Sequence, residues 1–194
     1  MSTKLINLEE EIRNCKKCNF NEKKDARYCG GKGNDYRVMF IAESPSTKGG
    51  KGIFPAEAGF DVKYAADKLF FDARKKFGLE NCYLTDYIKC GVPSGKPTVN
   101  KVNNCVHYLC EEIKDVNPKV IVTVGKYFYY IDGIKRKSPI FSDFIVYEFK
   151  KISHNIDIPV LSVDHYSHVY RYHKNNKHEL KLWEEQFLEI TKYL

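Results

Sequence analysis

The sequence predicts an α/β fold of three layers, α/β/α, with a central, mainly parallel four-stranded sheet. Three observations carry this expectation. Four short apolar runs recur along the chain, at 37–42, 82–90, 119–125 and 158–163, each the length of a buried strand. Segments with apolar residues at helical spacing separate them, and strand–helix alternation implies a parallel sheet with helices on both faces. The chain has 194 residues, 43% of them hydrophobic and 14% aromatic. That suffices for one compact domain with a sizeable core but is short for two, and it is too aromatic for disorder. Residues 1–194 therefore read as one domain.

The elements follow in order. Leu5, Ile6, Leu8 and Ile12 among acids predict a short helix over 5–14, ending at Cys15-Lys-Lys-Cys18. The polar, glycine-rich stretch 21–35 is a loop. RVMFIA (37–42) is a buried strand, and 44–55 is loop again. Residues 58–77 are a helix with Val62, Ala65, Ala66, Leu69, Phe70, Ala73 and Phe77 at helical spacing, and Gly78 sits at its C-cap. CYLTDYIKC (82–90) is the second strand, followed by a turn-rich loop. Residues 99–116 form a helix with Val102, Val106, Leu109 and Ile113 on one face, and Pro118 stops it. KVIVTVG (119–125) is the third strand. Residues 127–131 are a short helix or turn, and FIVYEF (144–149) is a strand whose partner the sequence does not name. IPVLSV (158–163) is the fourth buried strand, and 178–193 a helix carrying Leu180, Trp183, Phe187 and Ile190.

Lys and Arg number 32 against 25 Asp and Glu, a formal net charge of +7, which favours an anionic partner such as nucleic acid. No apolar run approaches the roughly 18–20 residues that span a bilayer, and the first residues carry charges where a signal peptide needs an apolar stretch. The expectation is a soluble, cytoplasmic protein with no membrane partner. Seven cysteines, an odd number, fit reduced thiols or metal ligation in such a setting better than a disulfide framework. Cys15 and Cys18 need two further ligands, to be found among Cys29, Cys82, Cys90, Cys105 and Cys110. Four thiolates hold zinc or an iron–sulfur cluster, and spacing alone does not choose between them.

In a parallel sheet ligands bind beyond the carboxyl ends of the strands. Here those ends are Glu43–Pro45, Asp86–Cys90, Gly125 and Asp164–Arg171. After the first strand, a loop rich in Gly and Lys, including Lys48, suits phosphate oxygens. It is not a P-loop, because Pro45 and Gly52 stand where that motif needs Gly and Ser or Thr. After the fourth strand, His165 reaches the sheet edge, where a neutral imidazole N–H can stabilise a developing anion.

In their order these segments resemble the family-4 uracil-DNA glycosylases, the iron–sulfur branch of the uracil-DNA glycosylase superfamily. The matching features are the CxxC at Cys15 and Cys18 and a G-x-G-N-like loop, Gly31-Lys32-Gly33-Asn34. Next come Ala42-Glu43-Ser44-Pro45-Ser46 for a GEAPG-type motif, and Phe54 followed by Ala58-Gly59. Ile88-Lys89-Cys90 precedes Cys105, Tyr108 and Leu109. The third strand begins Pro118-Lys119, His165 to Arg171 fit an H-P-S-x-x-x-R-like motif, and Trp183 lies on the last helix.

The resemblance implies a DNA glycosylase fold and activity: flipping of uracil, a damaged or a modified base out of DNA, then hydrolysis of its glycosidic bond to an abasic site. It implies a monomer acting on single- or double-stranded DNA in base excision repair. It implies a [4Fe-4S] cluster, with zinc as the alternative, on Cys15, Cys18, Cys90 and Cys105. Phe54 and Asp86 would bind the base. His165 would donate to a base oxygen, and Glu43 would orient the water and favour the cationic sugar. Ser44, Ser46, Lys48, Ser167 and Arg171 would bind phosphates, and Val169 or Tyr170 would wedge into the vacated stack.

The chain departs from the family at Asp86, where the pattern has Asn. An ionised Asp only accepts hydrogen bonds, so facing uracil O4 it would repel, whereas cytosine offers an amino donor. Three outcomes stay open: a cytosine-like base, uracil bound against a protonated or displaced Asp86, or a weakened activity that leaves an iron–sulfur nucleic-acid-binding protein. Ala42, Ser46 and Tyr166 replace a Gly, a Gly and a Pro of the motifs.

Overall fold

The computed structural model describes residues 2–18, 31–45, 65–90, 99–125, 147–148 and 158–194. Ser46, Lys48, Phe54, Cys29 and the expected turn at 127–131 lie outside these, as do 58–64 of the second expected helix.

The described elements are α1 (Thr3–Asn14), β1 (Asp35–Ala42), α2 (Ala65–Lys76), β2 (Cys82–Asp86), α3 (Val99–Val116), β3 (Val120–Val124), β4 (Tyr147–Glu148), β5 (Pro159–Val163), α4 (Tyr166–His173) and α5 (Lys177–Thr191). The sheet order is β2-β1-β3-β5-β4. The four strands from β2 to β5 are parallel, as expected, and the short β4 pairs antiparallel with β5, which gives Tyr147 and Glu148 of the expected strand their partner.

Alternation along the strands builds the three layers. Met39 and Ile41 of β1 join Tyr83, Ile121 and Val160 against Leu5 of α1 and Leu109, Ile113 and Val116 of α3. Val38, Phe40 and Ala42 turn the other way, with Leu84, Val122 and Leu161, against Phe70 of α2, Val169 of α4 and Trp183, Phe187 and Ile190 of α5. Every residue of β2 and β3 is buried, as strands covered on both faces must be.

Local chemistry sets the ends. Ser2 caps α1, accepting from the Leu5 N–H at 3.1 Å and donating to Asp115 of α3. Gly78, at φ 68°, ends α2. Buried Arg74 then donates to the carbonyls of Leu79, Glu80 and Cys82 at 3.1, 2.7 and 3.1 Å, pinning the turn into β2. Asn117, at φ 47°, and Pro118 end α3. The G-x-G segment flanks β2: Lys32 exchanges backbone hydrogen bonds with Leu84 at 2.9 and 2.7 Å, so the strand's outer side is covered there. The close approach demands glycine. A Cβ at Gly31 would fall 1.9 Å from the Tyr83 ring, and one at Gly33, where φ is 121°, 2.7 Å from the Cys82 carbonyl.

Two expectations change. The second strand was expected to run to Cys90, but β2 stops at Asp86. Beyond it the Tyr87 and Ile88 N–H groups donate to the carbonyls of Ala42 and Glu43 at 2.9 and 3.0 Å, while Lys89 turns inward. The segment after the fourth strand also contains a helix, α4, which the sequence did not predict. Its one buried residue, Val169, is too little apolar periodicity to announce a helix. Packing supplies the stability instead: Tyr166 stacks on Phe70 at 4.9 Å.

Candidate active site

Glu43 and Asp86 meet at the β1–β2 edge. Asp86 is the register partner of Ala42, and the Glu43 carbonyl holds the chain two residues beyond Asp86. Asp86 is fully buried, whereas Glu43 and Ser44 are partly exposed. Two carboxylic side chains thus lie on neighbouring strand ends, one inside and one toward solvent.

His165 stands two strand positions from Glu43, about 10 Å across the sheet at ~4.8 Å per strand. It is the N-cap of α4, its Nδ1 accepting from the Ser167 N–H at 3.2 Å, with the Ser167 Oγ 2.8 Å away. Burial, aided by the charge of His168, pushes its pKa down to about 4, so the ring is neutral at pH 7. With Nδ1 accepting, the ring proton sits on Nε2. The sheet edge therefore presents an uncharged N–H donor of fixed tautomer.

A clamp from α5 holds the preceding residue. The Asp164 N–H donates to Gln186 Oε1 at 2.9 Å, Gln186 Nε2 donates to Asp164 Oδ2 at 2.8 Å, and Trp183 Nε1 donates to the Asp164 carbonyl at 3.0 Å. The Asp164 backbone is thereby fixed through both its N–H and its carbonyl, and its carboxylate is held as well. Trp183 was visible in the sequence as an apolar helix residue and a motif match but not as a donor to Asp164, and Gln186 was missed: a glutamine on an amphipathic helix gives no signal of its partner.

The other side of the site is held by charge. Lys89 Nζ lies 2.5 Å from Glu112 Oε2 and 2.8 Å from Thr85 Oγ1, and both ionic side chains are 1% exposed. Thr85 Oγ1 also lies 3.1 and 3.0 Å from the two Glu112 oxygens. Burial pushes the Glu112 carboxyl up, and the Lys89 ammonium opposes that. This triad flanks Asp86 from both sides in sequence and binds the strand exit to α3. Sequence reasoning missed it as well, since Thr85 and Lys89 read as ordinary strand residues.

Next to the triad lie the four thiols that the resemblance singles out. Cys90 is buried and pushed up to about 12 by burial, then by the charges of Cys105, Cys15 and Cys18. Asn104 Nδ2 donates to Cys18 Sγ at 3.3 Å and to the Lys17 carbonyl at 3.1 Å. The Lys89 N–H bonds to Cys105 and the Tyr108 hydroxyl to Cys15. Soft thiolates with donors aimed at the sulfurs are what a thiolate-held metal group requires. Among the described residues no three His, Cys, Asp or Glu side chains gather as a single metal ion needs. Cys82 lies apart, its thiol 3.4 Å from Asp35 Oδ2.

The DNA-binding candidates divide. Ser167 faces His165, and Arg171 is exposed on α4. Val169 is corrected: it is 0% exposed and packs in the core, because on a helix docked against α2 that position points inward. Of the two wedge candidates, only the partly exposed Tyr170 reaches the surface. No described helix is long and apolar enough to cross a membrane.

Comparison with known proteins bears on this site. A family model described as "Uracil DNA glycosylase superfamily" matches residues 31–186. The chain is 31% identical over 127 residues to a type-4 uracil-DNA glycosylase of Archaeoglobus fulgidus, covering 63% of this chain and 60% of that protein. It is 26% identical over 133 residues to a type-4 uracil-DNA glycosylase of Thermotoga maritima, covering 66% of each. It is 28% identical over 101 residues to a type-5 uracil-DNA glycosylase of Pyrobaculum aerophilum, covering 46% and 45%. The chain spans about 60% of the length of the first of these relatives.

Proposed function

The chain belongs to the uracil-DNA glycosylase superfamily, and from that premise we propose that it excises uracil from DNA by hydrolysing the N-glycosidic bond. The observation that carries this reading is His165: neutral, with Nδ1 occupied, its proton on Nε2 at the carboxyl edge of the sheet.

The chemistry follows from the charges that develop. The target base is flipped out of the stack, and Phe54 stacks on it. As the bond from C1′ to the base breaks, its electron pair goes to the base and positive charge grows on the sugar, as in glycoside hydrolysis. His165 Nε2–H donates to a carbonyl oxygen of the departing base. Being uncharged, it stabilises the anion by a hydrogen bond without handing over its proton. Glu43 orients the water that adds to C1′, and its carboxylate favours the cationic sugar. The water's proton is released as the abasic sugar forms. Ser44, Ser46, Lys48 and Arg171 bind the flanking phosphates, with Tyr170 beside the gap.

Cys15, Cys18, Cys90 and Cys105 would hold a [4Fe-4S] cluster, which when bound ties α1 to the Cys90 loop and α3 as a structural crosslink. The four thiols lie within reach of one another's charge, as ligands of one shared metal group must. Purified protein should be brown and lose its colour and stability together on Cys90→Ala. A colourless protein with one bound zinc would replace the cluster with the ion.

A second reading rests on Asp86. As a buried acceptor it favours a base with an amino donor, such as cytosine, whereas in protonated form it serves uracil. Cleavage of single-stranded and duplex oligonucleotides carrying uracil, cytosine, 5-methylcytosine or hypoxanthine, followed by alkali at the abasic site, tests both. Uracil release supports the main reading. Release of a cytosine-like base, shifted to uracil by Asp86→Asn, supports the second. No release of any base by intact protein contradicts both.

A further inference from the structure

We propose that the solvent face of α4 is a stacking platform for unpaired bases of a single DNA strand. The proposal rests on reading the adjacent site as that of a DNA glycosylase, and it names the form of DNA that the site takes. Among the described residues, the exposed large hydrophobics are Ile6, Tyr172 and Leu188, and Tyr172 is the most exposed at 63%. It is also the one that lies on the helix capped by His165. A water-exposed aromatic ring on the element that carries a site residue is a contact surface awaiting a partner.

The residues around it say what partner. His168 lies one turn before Tyr172, with ring centroids 4.7 Å apart. The Arg171 guanidinium stands 5.9 Å from the Tyr172 ring, and Lys174 Nζ lies 4.7 Å over the Tyr170 ring. His168, Arg171, Tyr172 and Lys174 are all exposed. His173, in contact with the Glu179 carboxyl, closes the end of the row. Rings interleaved with cations are the surface that binds single strands, since every base has a π-face and every nucleotide a charge. A paired base in a duplex has both faces covered and cannot use the Tyr172 ring.

Geometry supplies a register. His168 and Tyr172 follow His165 by three and seven residues, so they line one side of the helix, and Tyr172 lies about 10 Å along the axis from His165. At ~3.4 Å per stacked nucleotide, that is about three nucleotides from the target base. Of the wedge candidates Val169 and Tyr170, Val169 is buried, which leaves strand contact on α4 to Tyr170 and this exposed row.

The test is the anisotropy of a labelled oligo-dT strand and of a duplex of equal length, titrated with full-length protein at several salt concentrations. Tyr172→Ala should weaken single-strand binding about ten-fold, leave duplex binding within about two-fold, and keep the salt slope. Tyr172→Phe should restore affinity. Arg171→Gln should instead flatten the single-strand slope by ~0.7. In uracil-bearing strands, an abasic spacer about three nucleotides from the uracil should erase the difference between wild type and Tyr172→Ala. Failure of the wild type to bind oligo-dT, or equal losses on strand and duplex, would overturn the platform. If Tyr172→Ala binds normally while uracil is excised, the platform fails and the glycosylase reading stands. If the variant loses single-strand affinity while the wild type excises no base, the platform stands and the catalytic reading fails.

Discussion

β2 and β5, the outermost of the four parallel strands, deliver Asp86 and His165 to the same sheet edge but hold them by opposite means. At β2 the exit is fixed by charge: Lys89, Glu112 and Thr85 form a closed buried triad beside Asp86. At β5 it is fixed without a cation: the Gln186 amide and the Trp183 indole grip Asp164, and Ser167 grips His165. The difference suits the chemistry. A donor to a departing anion works best with a fixed tautomer, which the Ser167 N–H supplies at Nδ1. The β2 side needs a rigid floor beside the thiols, and a buried ion pair with its hydrogen bonds satisfied supplies one.

Breaking the β2 side should have the largest effect. Lys89→Met leaves Glu112 buried and unpaired, so urea unfolding should show a loss of about 3–5 kcal/mol. The double variant Lys89→Met/Glu112→Leu should recover most of it, because the cost lies in the orphaned charge. A loss no larger than that of a surface ion pair, ~0–1 kcal/mol, would mean that the triad does not hold the exit.

The β5 side should show its effect in rate more than in stability. His165→Ala removes the donor, and base excision should fall about 10²–10³-fold, with only about 1 kcal/mol of stability lost with the α4 cap. Gln186→Leu keeps volume but releases Asp164. We expect kcat to fall about ten-fold, equivalent to ~1.4 kcal/mol, with KM steady, because the donor is misplaced while the binding surface remains. An equal fall in binding and rate would assign Gln186 to the fold alone.

Much of this comparison was beyond reach of the sequence, for physical reasons. The four parallel strands and α1, α2, α3 and α5 were legible because each buries a continuous apolar run or a helical stripe. The strand ends and His165 followed from topology. α4 was hidden, since a helix of His, Tyr and Arg residues that buries only Val169 has no stripe to read. The triad's bonds to Glu112 and the Asp164 clamp were hidden because they join residues 19 to 27 positions apart, and no local pattern announces a long-range polar pair. Val169 misled: its place in the motif suggested a wedge, and only packing shows that it faces the core.

A separate effect is expected on pH dependence. The His165 pKa falls from 6.5 to about 4 on folding. Between those values the unfolded chain binds the additional proton, so stability attributable to this group rises with pH from about 4 to 6.5 and is flat above. Acidifying from pH 7 to 4.5 should destabilise the wild type more than His165→Gln. Parallel pH profiles of unfolding would place the ring in a solvated setting.

The most direct measurement is release of uracil from a single-stranded oligonucleotide by the brown, folded protein and by its His165→Ala variant of matched stability. The account predicts abasic sites with the wild type and a loss of about two to three orders of magnitude in the variant. Equal rates for the two proteins would contradict the role given to the imidazole at the β5 exit.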